Sequence, residues 1–360
     1  MKKSLIALAV LASAAGAASA QSSVTLFGVV DVAATYGRAS GGAGKANRWS
    51  LTSGAYNTSR LGFRGTEDLG GGLSASFWLE AGMNADNGTG QGTNTNNQAS
   101  GASGGFAFGR RSTVSLSGGW GELRLGRDYT PQFWNVNVFD PFGSVGVGAS
   151  QTYTSIITGP TNTRASNTIG YFLPGNLGGF YGQAQYYMGE NSQNGAATED
   201  DGNGMGLRIG FANGPFNVAL GVSRTEYAAG DSKQNNIGGS WNFGIARAMA
   251  QYSFDEGVVN GFLREGEGWL IGGLFPVGAG EIRVAYSRYE VDAPGTPRTS
   301  KVALGYVHNL SKRTAIYTTI ARLENRNGGV GAAPPSLGGS VLGTGGDDST
   351  GFDLGIRHSF

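Results

Sequence analysis

The chain contains no cysteine and only two histidines, His308 and His358. Without cysteine no disulfide can form, so an exported protein of this size must be held together by packing or by closure of a sheet. Lipolytic sites need a serine and a histidine with a third group that orients the histidine, and zinc sites need several nitrogen or sulfur ligands. Both histidines fall near the ends of predicted strands, on outward faces. We therefore expect no catalytic site, no metal and no cofactor.

Long apolar runs and an excess of basic charge are also missing. After Ala20, no stretch approaches the roughly 18 apolar residues of a membrane-spanning helix. Residues 1–20 have two lysines, an apolar run and a final Ala-Ser-Ala, which is the pattern of a signal peptide. The remaining residues, 21–360, carry 24 basic and 25 acidic side chains, so nucleic acid is not an expected partner. We predict that residues 21–360 form one domain.

Glycine is abundant, with 65 of 360 residues, or more than twice the usual ~7%. Aromatic residues make up 11% of the chain, too many for a disordered protein, and no fixed repeat indicates a solenoid. Apolar and polar residues instead alternate with period two over about ten residues at a time, which predicts β-strands. Sixteen strands are predicted, near 24–36, 59–68, 73–83, 106–117, 122–129, 166–172, 180–189, 204–211, 216–227, 235–243, 247–255, 268–276, 281–291, 300–309, 314–325 and 351–360.

The connections between these segments alternate between short turns and long polar loops. Because strands of about 9–11 tilted residues span a bilayer, this pattern is typical of a transmembrane up-and-down antiparallel β-barrel. Sixteen strands enclose a lumen too wide to be filled by side chains, and hence a water-filled channel. Long loops are predicted at 37–58, 84–105, 130–165, 190–203, 256–267 and 326–350.

The last twelve residues, STGFDLGIRHSF, also alternate and end on an aromatic side chain. In a closed barrel the last strand pairs with the first, so we predict that 351–360 pairs with 24–36. Phe360 is then expected on the outward face with Leu354 and Ile356, in the periplasmic aromatic girdle, where it contributes to barrel closure and assembly.

Several arginines alternate with the apolar residues of predicted strands. An arginine or lysine facing lipid at the membrane midplane costs about 2–4 kcal/mol, so these side chains are expected to face the lumen. Inward arginines can also simply solvate the lumen or pair with acids such as Asp31, Glu67 and Glu80. Arg127 has the wrong parity for the lumen unless its strand bends or ends near Gly126, and we predict that it ends there. The arginines assigned inward by parity are Arg60, Arg64 and Arg124.

Several segments resemble the general porins of Gram-negative outer membranes, in the betaproteobacterial style. SSVTLFGVVDVAATY is similar to their first strand, SRLGFRGTEDLGGGLSASFWLEAG to the second and third, and GRRSTVSLSGGWGELRLGRDYTP to the fourth and fifth. NLSKRTAIYTTIARL and the terminal GIRHSF complete a resemblance that covers residues 21–360. It implies a homotrimer of sixteen-stranded barrels in the outer membrane, in contact with lipid and lipopolysaccharide.

The resemblance also implies that the third loop, 130–165, folds into the lumen and narrows it. The family's Pro-Glu-Phe-Gly-like motif corresponds here to Phe139-Asp140-Pro141-Phe142-Gly143, with the acid one place earlier. Asp140 is the only acid between Thr130 and Arg164. The basic residues that match the opposing wall of such porins are Arg60, Arg124, Arg127, Arg164 and one of Arg110 and Arg111.

This resemblance implies passive diffusion of small hydrophilic solutes, with selectivity set by pore radius and by the charges that line the pore. Several arginines facing one carboxylate predict a preference for anions. A substrate-specific channel of the same fold is the alternative, because Phe133, Trp134, Phe139 and Phe142 could form an aromatic path for sugars.

Overall fold

A computed structural model describes residues 23–41, 44–98, 105–155, 157–259, 261–329 and 348–360. The predicted signal peptide, 1–20, lies outside these residues. One antiparallel sheet dominates the described part of the chain. Its strands are β1 Ser23–Gly41, β2 Gly44–Ser53, β3 Arg60–Gly70, β4 Leu73–Asn84, β5 Thr89–Gly90, β6 Arg111–Gly118, β7 Gly121–Tyr129, β8 Arg164–Phe172, β9 Phe180–Tyr187, β10 Gly204–Asn213, β11 Phe216–Thr225, β12 Ser232–Asn242, β13 Arg247–Val259, β14 Phe262–Val277, β15 Gly280–Val291, β16 Arg298–Asn309, β17 Thr314–Arg326 and β18 Asp348–Ser359.

The sheet closes on itself between its first and last strands. β18 pairs with β1 from Val29 opposite Ser359 to Ser40 opposite Asp348, as the sequence predicts. β2 and β3 share one position in the wall, since β2 pairs with the second half of β1 and β3 with the first half. The two-residue β5 pairs only with β4, outside the ring. The described strands therefore form a closed barrel of sixteen positions, and the predicted fold class is confirmed.

Alternation sorts side chains to the two faces of this wall. Large apolar residues are exposed on the outside, as Leu26, Leu304 and Leu354 illustrate. Polar residues such as Thr35 and Asp353 alternate with them and are buried inside, hydrogen-bonded to each other. A slip of one residue in any strand would exchange the two faces. Within the described barrel wall, closure pairs the first strand of the sheet with the last.

Two loops predicted as long are mainly strand. Residues 37–58 were expected to form a loop, but β1 continues to Gly41 and β2 returns from Gly44 to Ser53. Residues 256–267 were also expected to form a loop, but β13 and β14 pair up to Val259 opposite Phe262. Both corrections have the same cause: the hydrogen-bonded ladder continues through segments rich in glycine and polar residues, a composition that is also typical of loops.

Two strand ends also differ from the predictions. The segment predicted at 106–117 becomes β6 only at Arg111. The expected end of β7 near Gly126 is wrong, because β7 continues to Tyr129. Between Gly126 and Asp128 the partner strand β8 advances from Thr168 to Ala165, and the extra residue forms a bulge. A bulge bends a strand without ending it.

Between β7 and β8 the chain enters the barrel as residues 130–163, here called loop 3. It begins with a short helix, α1 Pro131–Val138. Proline is favoured at the first helical position because it has no N–H to leave unpaired. The helix packs against β10, β11 and β12. Farther along, loop residues Phe142 and Val147 join the apolar cluster that includes Leu270, Ala285 and Leu323 of the wall. The expectation that this loop folds into the lumen is thus confirmed.

Candidate constriction site

Loop 3 lies on a row of glycines in the barrel wall. At each of these positions an added Cβ would come within 3.0 Å of a loop residue, so only glycine allows this close approach. The loop residues in contact run from the start of α1 to Phe142. The pairs, wall glycine first, are Gly206 with Pro131, Gly221 with Gln132, Gly238 with Phe139, Gly272 with Pro141 and Gly305 with Phe142. This row of five glycines, on β10, β11, β12, β14 and β16, is called the glycine track below.

Polar contacts fix the loop at several further points. The Asn135 side-chain amide donates to the Ala219 carbonyl at 2.9 Å, and the Val147 N–H donates to the Asp353 carboxylate at 2.9 Å. The Lys301 ammonium, which is 1% exposed, donates to the Ala149 carbonyl at 2.8 Å. Loop 3 is therefore hydrogen-bonded to the wall at Asn135, Val147 and Ala149, and these bonds fix its position inside the lumen.

Asp140 is buried within loop 3. Its carboxylate accepts backbone N–H groups of Phe142 at 2.8 Å, Ser144 at 3.2 Å and Ser150 at 3.2 Å. Burial raises the pKa of the Asp140 carboxyl, and these donors act in the opposite direction. Pro141 and Phe142 pack on the glycine track, and Gly143 makes a left-handed turn with φ +61°. The Asp140–Gly143 motif shapes the loop, and its single carboxylate does not line the cavity described below.

A second inward segment, residues 54–59, separates β2 from β3. The Asp31 carboxylate holds it by accepting the N–H groups of Asn57 at 2.6 Å and Tyr56 at 3.2 Å, and it also bonds the Tyr317 hydroxyl. An added Cβ at Gly146 of loop 3 would overlap the Ala55 carbonyl oxygen. The two inward segments therefore meet. Sequence reasoning missed this segment because it placed all of 37–58 in an outer loop.

A cavity of about 880 Å³ lies between loop 3 and the opposite wall. Its charged lining side chains are five arginines and two carboxylates, a net charge of +3. Phe133, Trp134 and Tyr153 of loop 3 line one side. The charged lining residues are Arg60, Arg110, Arg111, Arg164, Arg283, Glu80 and Asp128.

Glu80 is the carboxylate near the centre of this basic wall. Its Oε1 lies 2.6 Å from Nε of Arg110 and 3.9 Å from Nε of Arg60. The Arg111 guanidinium stacks 4.7 Å above the Trp78 ring and lies 3.7 Å from the Asp128 carboxylate. Sequence alone could not decide between Arg110 and Arg111, and both line the cavity. Arg110 lies just before β6, so the alternation of inward and outward side chains along that strand does not apply to it, and its side chain can also face the cavity.

Arg164 has a different environment, with no carboxylate partner among the described residues. Its Nη2 donates to the Tyr129 hydroxyl at 2.9 Å, and its Nε donates to the Arg110 carbonyl at 2.8 Å. The guanidinium also stacks 4.4 Å from the centre of the Tyr129 ring. Its positive charge is therefore left uncompensated by any ion pair there.

Three predicted wall arginines do not line this cavity. Arg64 packs against the rings of Phe27 and Trp78, at 5.3 and 5.1 Å from their centres. Arg124 is paired with Glu122 at 2.8 Å and Asp128 at 2.6 Å.

Arg127 is the third arginine outside the cavity. It donates to the Gly109 carbonyl at 2.6 Å and to Ser166 Oγ at 2.7 Å, and Asn94 accepts a further bond. Its guanidinium is thus held among backbone and neutral side-chain groups, away from the lining residues.

Arg283 lines the cavity and was not predicted. Its Nη2 donates to the Tyr56 hydroxyl at 3.1 Å, and it stacks 4.6 Å from that ring. The signal was present, because Arg283 alternates with Ile282 and Val284 and so has inward parity. The Phe360 ring covers Gly28, which has the parity of the exposed Leu26, and both residues also border the cavity. The place of Phe360 in an aromatic girdle stays a prediction.

Among the described residues, no group of three or more histidine, aspartate or glutamate side chains could hold a metal ion. Within the same residues, no helix is both long enough and apolar enough to cross a membrane.

Comparison with known proteins assigns the family. Residues 7–328 match the Gram-negative porin family. Outer membrane porin protein 32 of Delftia acidovorans is 39% identical, over 100% of both chains. The solved anion-selective porin from Comamonas acidovorans has a TM-score of 0.81 at 35% identity, covering 94% of this chain and 100% of that one. A trimer form of OmpT from Vibrio cholerae shares the fold, with a TM-score of 0.64 at 14% identity over 94% and 99% of the chains. The chain, a closed barrel with an arginine-lined lumen, belongs to the Gram-negative porin family of the outer membrane.

Proposed function

We propose that this outer-membrane porin is a water-filled channel for passive diffusion of small hydrophilic solutes and ions, and that it prefers anions. One observation carries the preference: five arginines and two carboxylates line the cavity beside loop 3. Charges at the narrow part of a pore act on every ion that passes. The positive sign at this point favours chloride or a carboxylate over potassium.

Pairing does not fully cancel this field. Glu80 and Asp128 each serve two arginines, and Arg283 is paired with Glu281 at 2.9 Å. Arg164 has no carboxylate partner among the described residues. Two unit charges 4 Å apart interact by about 4 kcal/mol at an effective dielectric constant of about 20. A net charge of +3 in a confined space is therefore large enough to sort ions. High salt weakens the effect, since the Debye length is about 10 Å at 0.1 M.

The same preference is supported by the anion-selective porin of Comamonas acidovorans, which shares 35% of its residues with this chain. The buried position of Asp140 adds to this support. The only acid of loop 3 is bound by backbone N–H groups within the loop, so it offers little negative charge to a passing ion.

A substrate-specific channel with an aromatic path is less well supported. The aromatic side chains of loop 3 pack on one another and on Tyr129 of β7. The ring centres are 4.9 Å apart for Tyr129 and Phe133 and 5.6 Å apart for Phe133 and Tyr153. The Tyr129 ring is also covered by Arg164. Rings whose faces are occupied in this way are poor stacking platforms for a sugar.

A homotrimer, and contact with lipid and lipopolysaccharide, belong to the same proposal. Exposed apolar side chains such as Trp49 and Leu51 of β2 support contact with a second copy or with lipid. Electrophoresis without heating, after chemical cross-linking, would distinguish a trimer from a monomer in detergent.

The test of the function is the reversal potential of the purified protein in a planar bilayer under a potassium chloride gradient. We expect the sign that corresponds to chloride passing more easily than potassium. The opposite sign would contradict the preference for anions, and a bilayer without conductance would contradict the channel itself.

A further inference from the structure

Tyr129 joins two arginines of the cavity through one oxygen atom. Its hydroxyl accepts a hydrogen bond from Nη2 of Arg110 at 2.9 Å and another from Nη2 of Arg164 at 2.9 Å. The two guanidinium nitrogens are thus no farther apart than twice that distance. Like charges repel at such a separation, and the oxygen atom that both guanidinium groups share offsets part of this repulsion.

Several contacts position the tyrosine for this role. Tyr129 lies opposite Arg164 in the pairing of β7 with β8. Its ring is packed between the Arg164 guanidinium on one side and loop 3 on the other, 4.9 Å from Phe133 and 5.2 Å from Trp134 between ring centres. Its N–H donates to the Asp128 carboxylate at 2.8 Å. The hydroxyl therefore has one well-defined location at the edge of the cavity.

The hydroxyl also has a proton of its own. A phenolic oxygen can accept two hydrogen bonds and donate one. Arg110 and Arg164 use both acceptor positions, and no hydrogen bond of the described residues gives the proton an acceptor. The hydroxyl proton and the remaining N–H groups of the two guanidinium groups therefore lie beside a cavity that all three side chains line. Donors grouped in this way suit a small anion.

We propose that Tyr129 is a specificity-determining residue of this channel: its hydroxyl holds Arg110 and Arg164 together and adds a third donor for the passing anion. This inference rests on the proposed function, because it explains where the preference for anions is concentrated. It predicts that a neutral side chain controls ion selectivity without any change in the charge of the pore.

The test is Tyr129→Phe, which keeps the ring and removes only the hydroxyl. We expect the chloride-to-potassium permeability ratio to fall about threefold, because the two guanidinium groups separate and one donor is lost. Tyr181→Phe is the matched control, since Arg208 donates a hydrogen bond to the Tyr181 hydroxyl at 3.4 Å but neither residue lines the cavity. The permeability ratio of this control should remain that of the native protein.

A double-mutant cycle distinguishes positioning from a general effect on the loop. In an Arg164→Gln background, Tyr129→Phe should have a clearly smaller effect, because the pair that it holds is already broken. An equal effect in both backgrounds, or equal ratios for the native protein and Tyr129→Phe, would overturn the inference. Should the native channel prefer cations, the proposed function fails, and a further shift toward cations in Tyr129→Phe would still support the role of Tyr129.

Discussion

The ring of Phe139 in loop 3 lies on the backbone of Gly238 in β12, so that a Cβ at position 238 would come within 3.0 Å of ring atoms Cδ2 and Cγ. Phe139 is fully buried and has no room to turn aside. We therefore expect Gly238→Val to displace loop 3, to raise single-channel conductance, and to lower stability by about 1–3 kcal/mol through overpacking.

The neighbouring Gly239→Val is the matched control. A Cβ there points away from the loop, and its nearest neighbour is the Asn217 carbonyl oxygen at 3.3 Å. Single-channel recordings and heat denaturation should separate the two variants. Equal conductance in both would mean that the loop is not seated on this part of the glycine track.

Arg164 and Arg127 test whether the location of a positive charge matters, because replacing either one removes the same charge from a different place. Neither has a carboxylate partner among the described residues, but only Arg164 lines the cavity. We expect Arg164→Gln to lower the chloride-to-potassium permeability ratio about two- to threefold, and Arg127→Gln to change it little. Reversal potentials under the same salt gradient measure both. A larger effect at Arg127 would place the selective region among the outer loops instead.

Glu80 and Asp140 allow a comparison between an acid that lines the cavity and an acid that is buried in loop 3. Glu80→Gln removes a negative charge from the cavity, so we expect a stronger preference for anions, with stability lower by about 1–3 kcal/mol through the lost bond to Arg110. Asp140→Asn should lower stability because an amide cannot accept all three N–H groups of the loop. We expect it to shift the reversal potential less than Glu80→Gln does. The reverse order would show that Asp140 acts on passing ions.

The inward segment 54–59 should widen the pore when it is released. Asp31→Ala removes the acceptor of two backbone N–H groups and of the Tyr317 hydroxyl, so we expect larger and noisier single-channel currents. Asp68→Ala is the control, because Asp68 only accepts the Gly70 N–H in an exposed turn. Native-like currents in Asp31→Ala would mean that the segment keeps its position without this carboxylate.

The wall of the barrel could be predicted from the sequence because alternation is a local property. Leu73 to Glu80 alternate clearly, and the structure places them in β4. In β2, Trp49 and Leu51 also alternate with polar residues, but the surrounding glycines and polar residues suggested a loop. Alternation reports which face a side chain occupies, and by this rule Arg283 could have been assigned to the lumen.

The details of the constriction could not be predicted in the same way, because they depend on contacts between distant parts of the chain. The ion pair of Glu80 with Arg110 and the hydroxyl that Tyr129 shares between two arginines can be predicted only when the exact register of the neighbouring strands is known. The bulge opposite Gly126 shifts that pairing. The burial of Asp140 depends on how loop 3 folds on itself, which the composition of the loop does not reveal.

The glycine track also has a consequence for protein engineering. The fit between loop 3 and the barrel depends in part on wall residues far from the loop in sequence, at Gly206, Gly221, Gly238, Gly272 and Gly305. A transplanted loop of identical sequence would clash with the wall of a host barrel that carries alanine or valine at the equivalent positions. Transferring loop 3 from one porin to another therefore requires transferring two sets of residues, the loop itself and the glycine track on which it packs.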